Sequence, residues 1–284
     1  MSILRRSSVV LGGAAVVGGG LSLTARHLLR RQAAAARRLI GHPLGDEPPD
    51  ADRVYKKSLG DTVELVVLGD SIAAGLGAET AKGTLGARLA KGVHKAARRS
   101  VRLTTLAVVG SESSALADQL ASLPAGVQPE VAVIVVGGND VTHRVPVAES
   151  VRHLVACIEG LQELGAAVVV GTCPDLGALR PVPQPLRALG SRASRQLAAA
   201  QRRAALECGA RVVSLADVVG PFFITNPDEM FSLDRFHPSA HGYKRTAKAM
   251  LPSVLAALGV VVRIPFGHHA PDPPAAPEPS AADV

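Results

Sequence analysis

Four short segments of the chain hold residues whose types suit acyl transfer: Gly69-Asp70-Ser71-Ile72, Gly110-Ser111, Gly137-Gly138-Asn139-Asp140 and Asp234-Arg235-Phe236-His237-Pro238. A serine hydroxyl is a weak nucleophile near neutral pH and needs a base to take its proton as it attacks. A neutral imidazole, with a pKa of about 6.5, can take that proton and later hand it to the leaving alcohol. His237 fits this part. Asp234, three residues earlier, can fold back within one turn to accept the other ring N–H and fix the tautomer. The negative oxygen of a tetrahedral intermediate needs fixed donors, which the backbone N–H groups of Ser71 and Gly110 and the side-chain amide of Asn139 could supply. Taken singly, Gly-Asp-Ser and Gly-Gly-Asn-Asp are ordinary turn and cap sequences; what carries the argument is their order along the chain.

Such residues need elements that deliver them to one rim. Val63 to Leu68, Val101 to Val109, Val131 to Val136, Ala167 to Gly171 and Val212 to Leu215 are nearly continuous apolar or β-branched runs, as expected of strands buried on both faces. Helical candidates over 84–99, 112–123, 147–164, 187–208 and 239–258 separate or follow them. The alternation predicts an α/β fold of three layers: a doubly wound, parallel, five-stranded sheet between helices. Ligands of such sheets bind beyond the carboxyl ends of the strands, where the four segments fall. The longest segments on that rim, 172–190 and 217–233, hold Asp175, Phe222, Phe223 and Phe231 and are the expected walls of an acyl or apolar alcohol pocket. Asp70 and Asp140 are expected to hold the neighbouring Ser71 and Asn139.

With those residues and their order in place, the chain resembles the SGNH hydrolase superfamily, also called GDSL esterases and lipases, over about residues 62–258. The resemblance implies a flavodoxin-like sheet, Ser71 as nucleophile, His237 as base, Asp234 as its orienting partner, and Ser71, Gly110 and Asn139 as oxyanion donors, with no cofactor and no metal. Ile72 stands where the GDSL signature usually has Leu, and the segment around Gly110 is the least diagnostic. The function it implies is hydrolysis of carboxylic esters, of short- or medium-chain acyl groups or of lipids, through an acyl-serine intermediate. An acyltransferase, a glycan O-acetylesterase and a non-catalytic lipid- or glycan-binding module are the alternatives.

Charge and composition bound the rest. The 284 residues carry 31 Lys and Arg against 24 Asp and Glu, but residues 1–40 hold seven arginines and no acid, so the remainder is balanced. A balanced body with no Trp, five Phe and two Tyr lacks the basic face and aromatic platforms of a nucleic-acid reader. Within the basic leader, Ser7 to Ala25 is uncharged and long enough, at about 1.5 Å per residue, to approach the thickness of a bilayer. It fits an uncleaved membrane anchor, a cleaved export signal or an interfacial or disordered leader, and the expectation is a protein anchored at a membrane or exported to the cell envelope, with the arginines that follow leaving its orientation open. Residues 41–60 read as a linker, 61–264 as the hydrolase domain, and 265–284 as a proline-rich disordered tail in which His268 and His269 are solvated. The basic stripes Arg88, Lys91, Lys95 and Arg98, and Arg192, Arg195, Arg202 and Arg203, read as solvated helix faces. Cys157, Cys173 and Cys208 read as small apolar residues.

Overall fold

A computed structural model describes residue 24 and residues 26–40, 45, 47–261 and 263–271. The uncharged segment 7–25 and the end of the proline-rich tail therefore lie almost wholly outside the described residues. Among the described residues, no helix is long and apolar enough to cross a membrane.

The five expected parallel strands are present: β2 (Thr62–Gly69), β3 (Ser100–Thr105), β4 (Val131–Val135), β5 (Ala167–Gly171) and β6 (Arg211–Val213). Among the described residues the sheet has seven strands rather than five, in the order β1-β3-β2-β4-β5-β6-β7, because two short strands run antiparallel along its edges. The first, β1 (Val54–Tyr55), pairs with β3, and the second, β7 (His268–His269), pairs with β6. The expected linker and tail thus both enter the sheet. Tyr55 and Ala51 are buried, the Tyr55 hydroxyl donates to the Ala51 carbonyl at 2.8 Å, and the Asp52 carboxylate accepts from the Thr105 N–H and hydroxyl at 2.7 Å each. At the other edge His268 and His269 are half-buried, not solvated, with Nδ1 of His268 2.7 Å from the Ser253 hydroxyl and Nε2 of His269 3.3 Å from that of Ser214. Without these strands, β3 and β6 would present open rows of backbone donors and acceptors.

Successive residues of the central strands alternate between two apolar layers, the period of two that a pleated strand imposes. Leu65, Val67, Val133 and Val135 face α3 (Leu85–Ala97) and α11 (Ala240–Ala257). Val66, Leu68, Ala132 and Ile134 face α4 (Leu116–Ala121), α6 (Val147–Glu163) and α7 (Leu186–Glu207). All eight strand side chains are fully buried, and each contributes on the order of 1 to 3 kcal/mol. A further helix, α1 (26–40), precedes the sheet, and short helices fill the loops: α2 (Ser71–Ala74), α5 (Gly138–His143), α8 (Leu215–Val218), α9 (Gly220–Thr225) and α10 (Pro227–Met230).

Register brings the site together. Gly69 pairs with Val135, Val135 with Gly171, and Gly171 with Val213, so the carboxyl ends of four strands stand level. The strand order reverses between β2 and β4, and the residues that leave the sheet there are Ser71 and Asn139. β3 ends at Thr105 rather than Val109, yet Leu106 and Val108 still donate to the carbonyls of Val67 and Gly69, which carries the chain along β2 to Gly110.

The two basic stripes are only partly solvated. Arg88 donates to the carbonyls of Gly83 and Ala240, tying α3 to the start of α11, and Arg195 pairs with the buried Asp175 at 2.8 Å. Cys157 and Cys173 are buried, and burial pushes the Cys157 thiol up to about 12 and that of Cys173 well above its ordinary value, so neither is a thiolate; Cys208 is half-buried.

Candidate active site

Ser71 opens α2, capped by Asp70, whose Oδ1 accepts from the Ile72 N–H at 3.0 Å. The turn before it is held on both sides. The Asp70 N–H donates to the Val135 carbonyl at 3.0 Å, and Gln119, buried on α4, accepts from the Gly69 N–H and donates to the Gly69 carbonyl, both at 2.8 Å. Gly69 has φ +132°, and a Cβ there would stand 1.9 Å from the Val135 carbonyl oxygen, so the approach of β2 to β4 at this point requires glycine.

Asp234 and His237 belong to a turn closed by a bridge between Phe231 and Pro238, with Arg235 at φ +57°. Oδ1 of Asp234 accepts from the Ser232 hydroxyl at 2.7 Å and from the N–H groups of Phe236 and His237 at 2.8 and 2.9 Å. Its Oδ2 lies 2.6 Å from Nδ1 of His237, and Nε2 of that ring lies 3.0 Å from the Ser71 hydroxyl. Burial would raise the Asp234 pKa, but the hydrogen bonds from His237, Ser232 and the two backbone N–H groups outweigh it and hold the carboxyl at about 2. It is therefore charged throughout the neutral range. Gly77, φ +94°, passes so close beneath this turn that a Cβ would meet the Pro238 carbonyl oxygen at 2.7 Å and the His237 Cβ at 2.8 Å.

Asn139 lies in the first turn of α5, so Gly-Gly-Asn-Asp, by itself an ordinary turn sequence, here opens a helix. Its amide donates to the Ser111 carbonyl at 2.9 Å, which leaves the second N–H available toward the cleft that Asn139 lines. Asp140 holds the adjoining loop: it accepts from the Ser113 N–H and hydroxyl and, at 2.6 Å, from the Ser150 hydroxyl. Gly110 is an exposed corner with φ +80°, next to the Ser111 that Asn139 grips, and it does not line the cleft. The structure thus brings Ser71, Asn139 and His237 to one space, with Asp234 behind the His237 ring, and sets Gly110 beside it.

That space is a cleft of about 80 Å³, lined by Ser71, Asn139 and His237 and otherwise mainly by apolar side chains such as Ile72, Leu179, Leu215 and Val219. Both expected wall segments contribute. Phe223 and Phe231 line the cleft with their rings 4.8 Å apart edge to face, while Phe222 turns away under the Arg245 guanidinium. Asp175 also lines it, but its carboxylate is engaged by the Gly177 N–H and by Arg195. Three groups escaped the sequence reading. Phe236 stands edge-on to the His237 ring at 4.8 Å. Gln119 clamps Gly69, and Gln201 bridges the Cys173 N–H and the Val136 carbonyl, joining the ends of β5 and β4. Their signal was a polar residue at a helix position that spacing assigns to the core: Gln119 follows Leu116 by three, and Gln201 follows Leu197 by four.

A serine within hydrogen-bond reach of an imidazole that is itself held by a carboxylate is the arrangement that activates a hydroxyl for acyl transfer. Residues 67–245 match the model of the GDSL-like Lipase/Acylhydrolase family. The chain belongs to this family. The GDSL-like hydrolase is 38% identical over 240 residues to a GDSL-like esterase of Mycobacterium tuberculosis, covering 81% of this chain and 76% of the relative. Its fold matches the psychrotrophic esterase EstA from Pseudoalteromonas sp. with a TM-score of 0.54 at 18% identity, over 69% of this chain and 98% of that one. It matches a catalytic mutant of Axe2, an acetylxylan esterase from Geobacillus stearothermophilus, with a TM-score of 0.56 at 19% identity, over 69% and 95%. The GDSL-like hydrolase is accordingly a carboxylic ester hydrolase of the SGNH superfamily.

Proposed function

We propose that the enzyme hydrolyses short- or medium-chain carboxylic esters through an acyl-Ser71 intermediate, with His237 as general base and acid and Asp234 as the group that orients it. The observation that supports this most is the unbroken chain from the Asp234 carboxylate through the His237 ring to the Ser71 hydroxyl, at 2.6 and 3.0 Å. His237 Nε2 takes the hydroxyl proton as Ser71 Oγ bonds the ester carbon. The oxyanion is met by the Ser71 N–H, which opens α2 and has no acceptor within that helix, and by the free N–H of Asn139. Gly110 completes the donor set of the reading as its third member, through a backbone N–H. Collapse of the intermediate breaks the bond to the alcohol, which leaves with the proton from His237. Water then repeats the sequence on the acyl-enzyme and releases the acid. The small apolar cleft at Ser71 supports an acyl group of limited length. The reading extends to attachment at a membrane or in the cell envelope through residues 7–25, on the strength of their uncharged length between arginines.

A serine-directed fluorophosphonate tests the nucleophile; the related EstA is described as inhibited by monoethylphosphonate. The expected result is stoichiometric labelling of the purified enzyme, with labelling and cleavage of p-nitrophenyl butyrate both lost in Ser71→Ala. Labelling that survives in Ser71→Ala refutes the assignment.

A further inference from the structure

A second, larger cleft of about 1100 Å³ adjoins the first, and the two share Asn139, Leu176, Leu179, Phe236 and His237. Ser71 lines only the smaller one. If Ser71 carries the acyl group, that group must lie in the small cleft, and the alcohol, which takes its proton from His237, departs on the side where His237 opens onto the large one. The walls of the large cleft are distinctive. One is α1, whose Leu29, Ala33, Ala36 and Ile40 repeat at helical spacing along the inner face, and the opposite one is the start of α7. Helix α1 is fixed there by Gln32, which donates to the Gln184 carbonyl at 2.6 Å and accepts from the Leu186 N–H at 3.2 Å.

The same cleft is lined by four arginines, Arg30 and Arg37 of α1, Arg144 at the end of α5 and Arg187 of α7, and by no acidic residue. Among the described residues none of the four makes an ion pair, whereas the neighbouring His143 is held by Glu112 at 2.7 Å. An apolar trough lined by unneutralised guanidinium groups suits a ligand with both a hydrocarbon body and an anion, and guanidinium forks suit the oxygens of a phosphate.

We propose that the large cleft holds the alcohol half of the ester and that this alcohol is a phosphate-bearing amphiphile, so that the preferred substrate is its short-chain acyl ester. The inference rests on the Ser71 reading and deepens it: α1, outside the segment that matches the family, sets the specificity for the leaving group.

The test uses the full chain, with active sites counted by fluorophosphonate, and compares 1-octyl-2-acetylglycerol 3-phosphate with its phosphate-free counterpart. At low salt kcat/KM is expected to favour the phosphate by about ten-fold or more, and the preference should shrink as salt rises. In Arg30→Gln/Arg37→Gln the ratio should fall toward one. Replacing acetyl by octanoyl should lower kcat/KM for the phosphate ester. A ratio near one in the unmodified enzyme, or a ratio that the double substitution leaves intact, overturns the assignment of the alcohol; a preference for octanoyl overturns the assignment of the acyl group. Absence of Ser71-dependent labelling and cleavage in the unmodified enzyme overturns the esterase reading itself, and this inference with it.

Discussion

Two carboxyls within reach of His237 are placed in opposite electrostatic states. Asp234 is surrounded by donors and stays near 2, whereas burial is the largest influence on Asp70 and pushes it up to about 6, against the N–H groups of Ile72 and Gly138. An acid whose folded pKa lies above its unfolded value favours the folded state when protonated, so Asp70 stabilises the fold least where it is charged. The stabilising effect is present below about pH 4 and is lost as pH rises toward and through about 6. Asp70→Asn keeps an acceptor for Ile72 and removes the titration. Its unfolding free energy relative to the unmodified enzyme should therefore climb by about 2 kcal/mol between pH 4 and 7, as read from urea unfolding at each pH; a difference that stays flat would show that Asp70 does not titrate in this range. The sequence marked Asp70 as a residue that holds the neighbouring Ser71, and the structure adds its capping bond and what no local pattern can carry: the degree of burial, which depends on β4 and α5 closing over it.

At the scale of elements, the parallel strands and the long helices α3, α6, α7 and α11 were legible because each has a signal of its own length, a β-branched run or a 3.6-residue apolar period. α5 was not, because Gly-Gly-Asn-Asp is equally good turn sequence and its helicity is decided by the packing of Asp140 against Ser113 and Ser150. The strand β1 hid among prolines and charges, and a two-residue strand has no period to read. The glutamine clamps were also missed, since each satisfies backbone groups that only exist once two strand ends are side by side. Gln119 is the clearer case. In Gln119→Met the Gly69 carbonyl keeps the Val108 N–H, at 3.2 Å, but the Gly69 N–H is left buried without an acceptor. The expected loss is about 1 to 3 kcal/mol, seen as a fall of several degrees in Tm, together with a lower kcat because the turn carrying Ser71 loosens. Unchanged stability would show that another acceptor takes over.

For the whole molecule, the four site segments were recognisable because their residue types and order survive any detail of the loops, while the relation of the ends of the chain to the domain was not. Helix α1 packs mainly through Ala36 and Gln32, whereas residues 50–55 bury Ala51 and Tyr55 and cover the edge of β3. A chain beginning at residue 45 should therefore unfold close to the temperature of the full chain and keep its fluorophosphonate labelling. A chain beginning at residue 60, which loses β1 and the Asp52 bonds to Thr105, should melt several degrees lower. Equal melting by calorimetry would mean that β1 contributes nothing to the fold.

The two edge strands bear on how this domain can be cut and joined. Both lie outside residues 67–245, the span that matches the family, and a cut at residue 67 would also remove Thr62–Val66 from β2, the strand that leads into Ser71. The span that matches the family model is thus not a folding unit by itself. Expressed by itself it would expose hydrogen-bonding edges on both sides of an apolar sheet, an arrangement that recruits further copies edge to edge, and its fate would be insoluble aggregate. Tags, fusions and chimeric swaps belong before residue 45 or after residue 271, beyond the strands that seal the sheet.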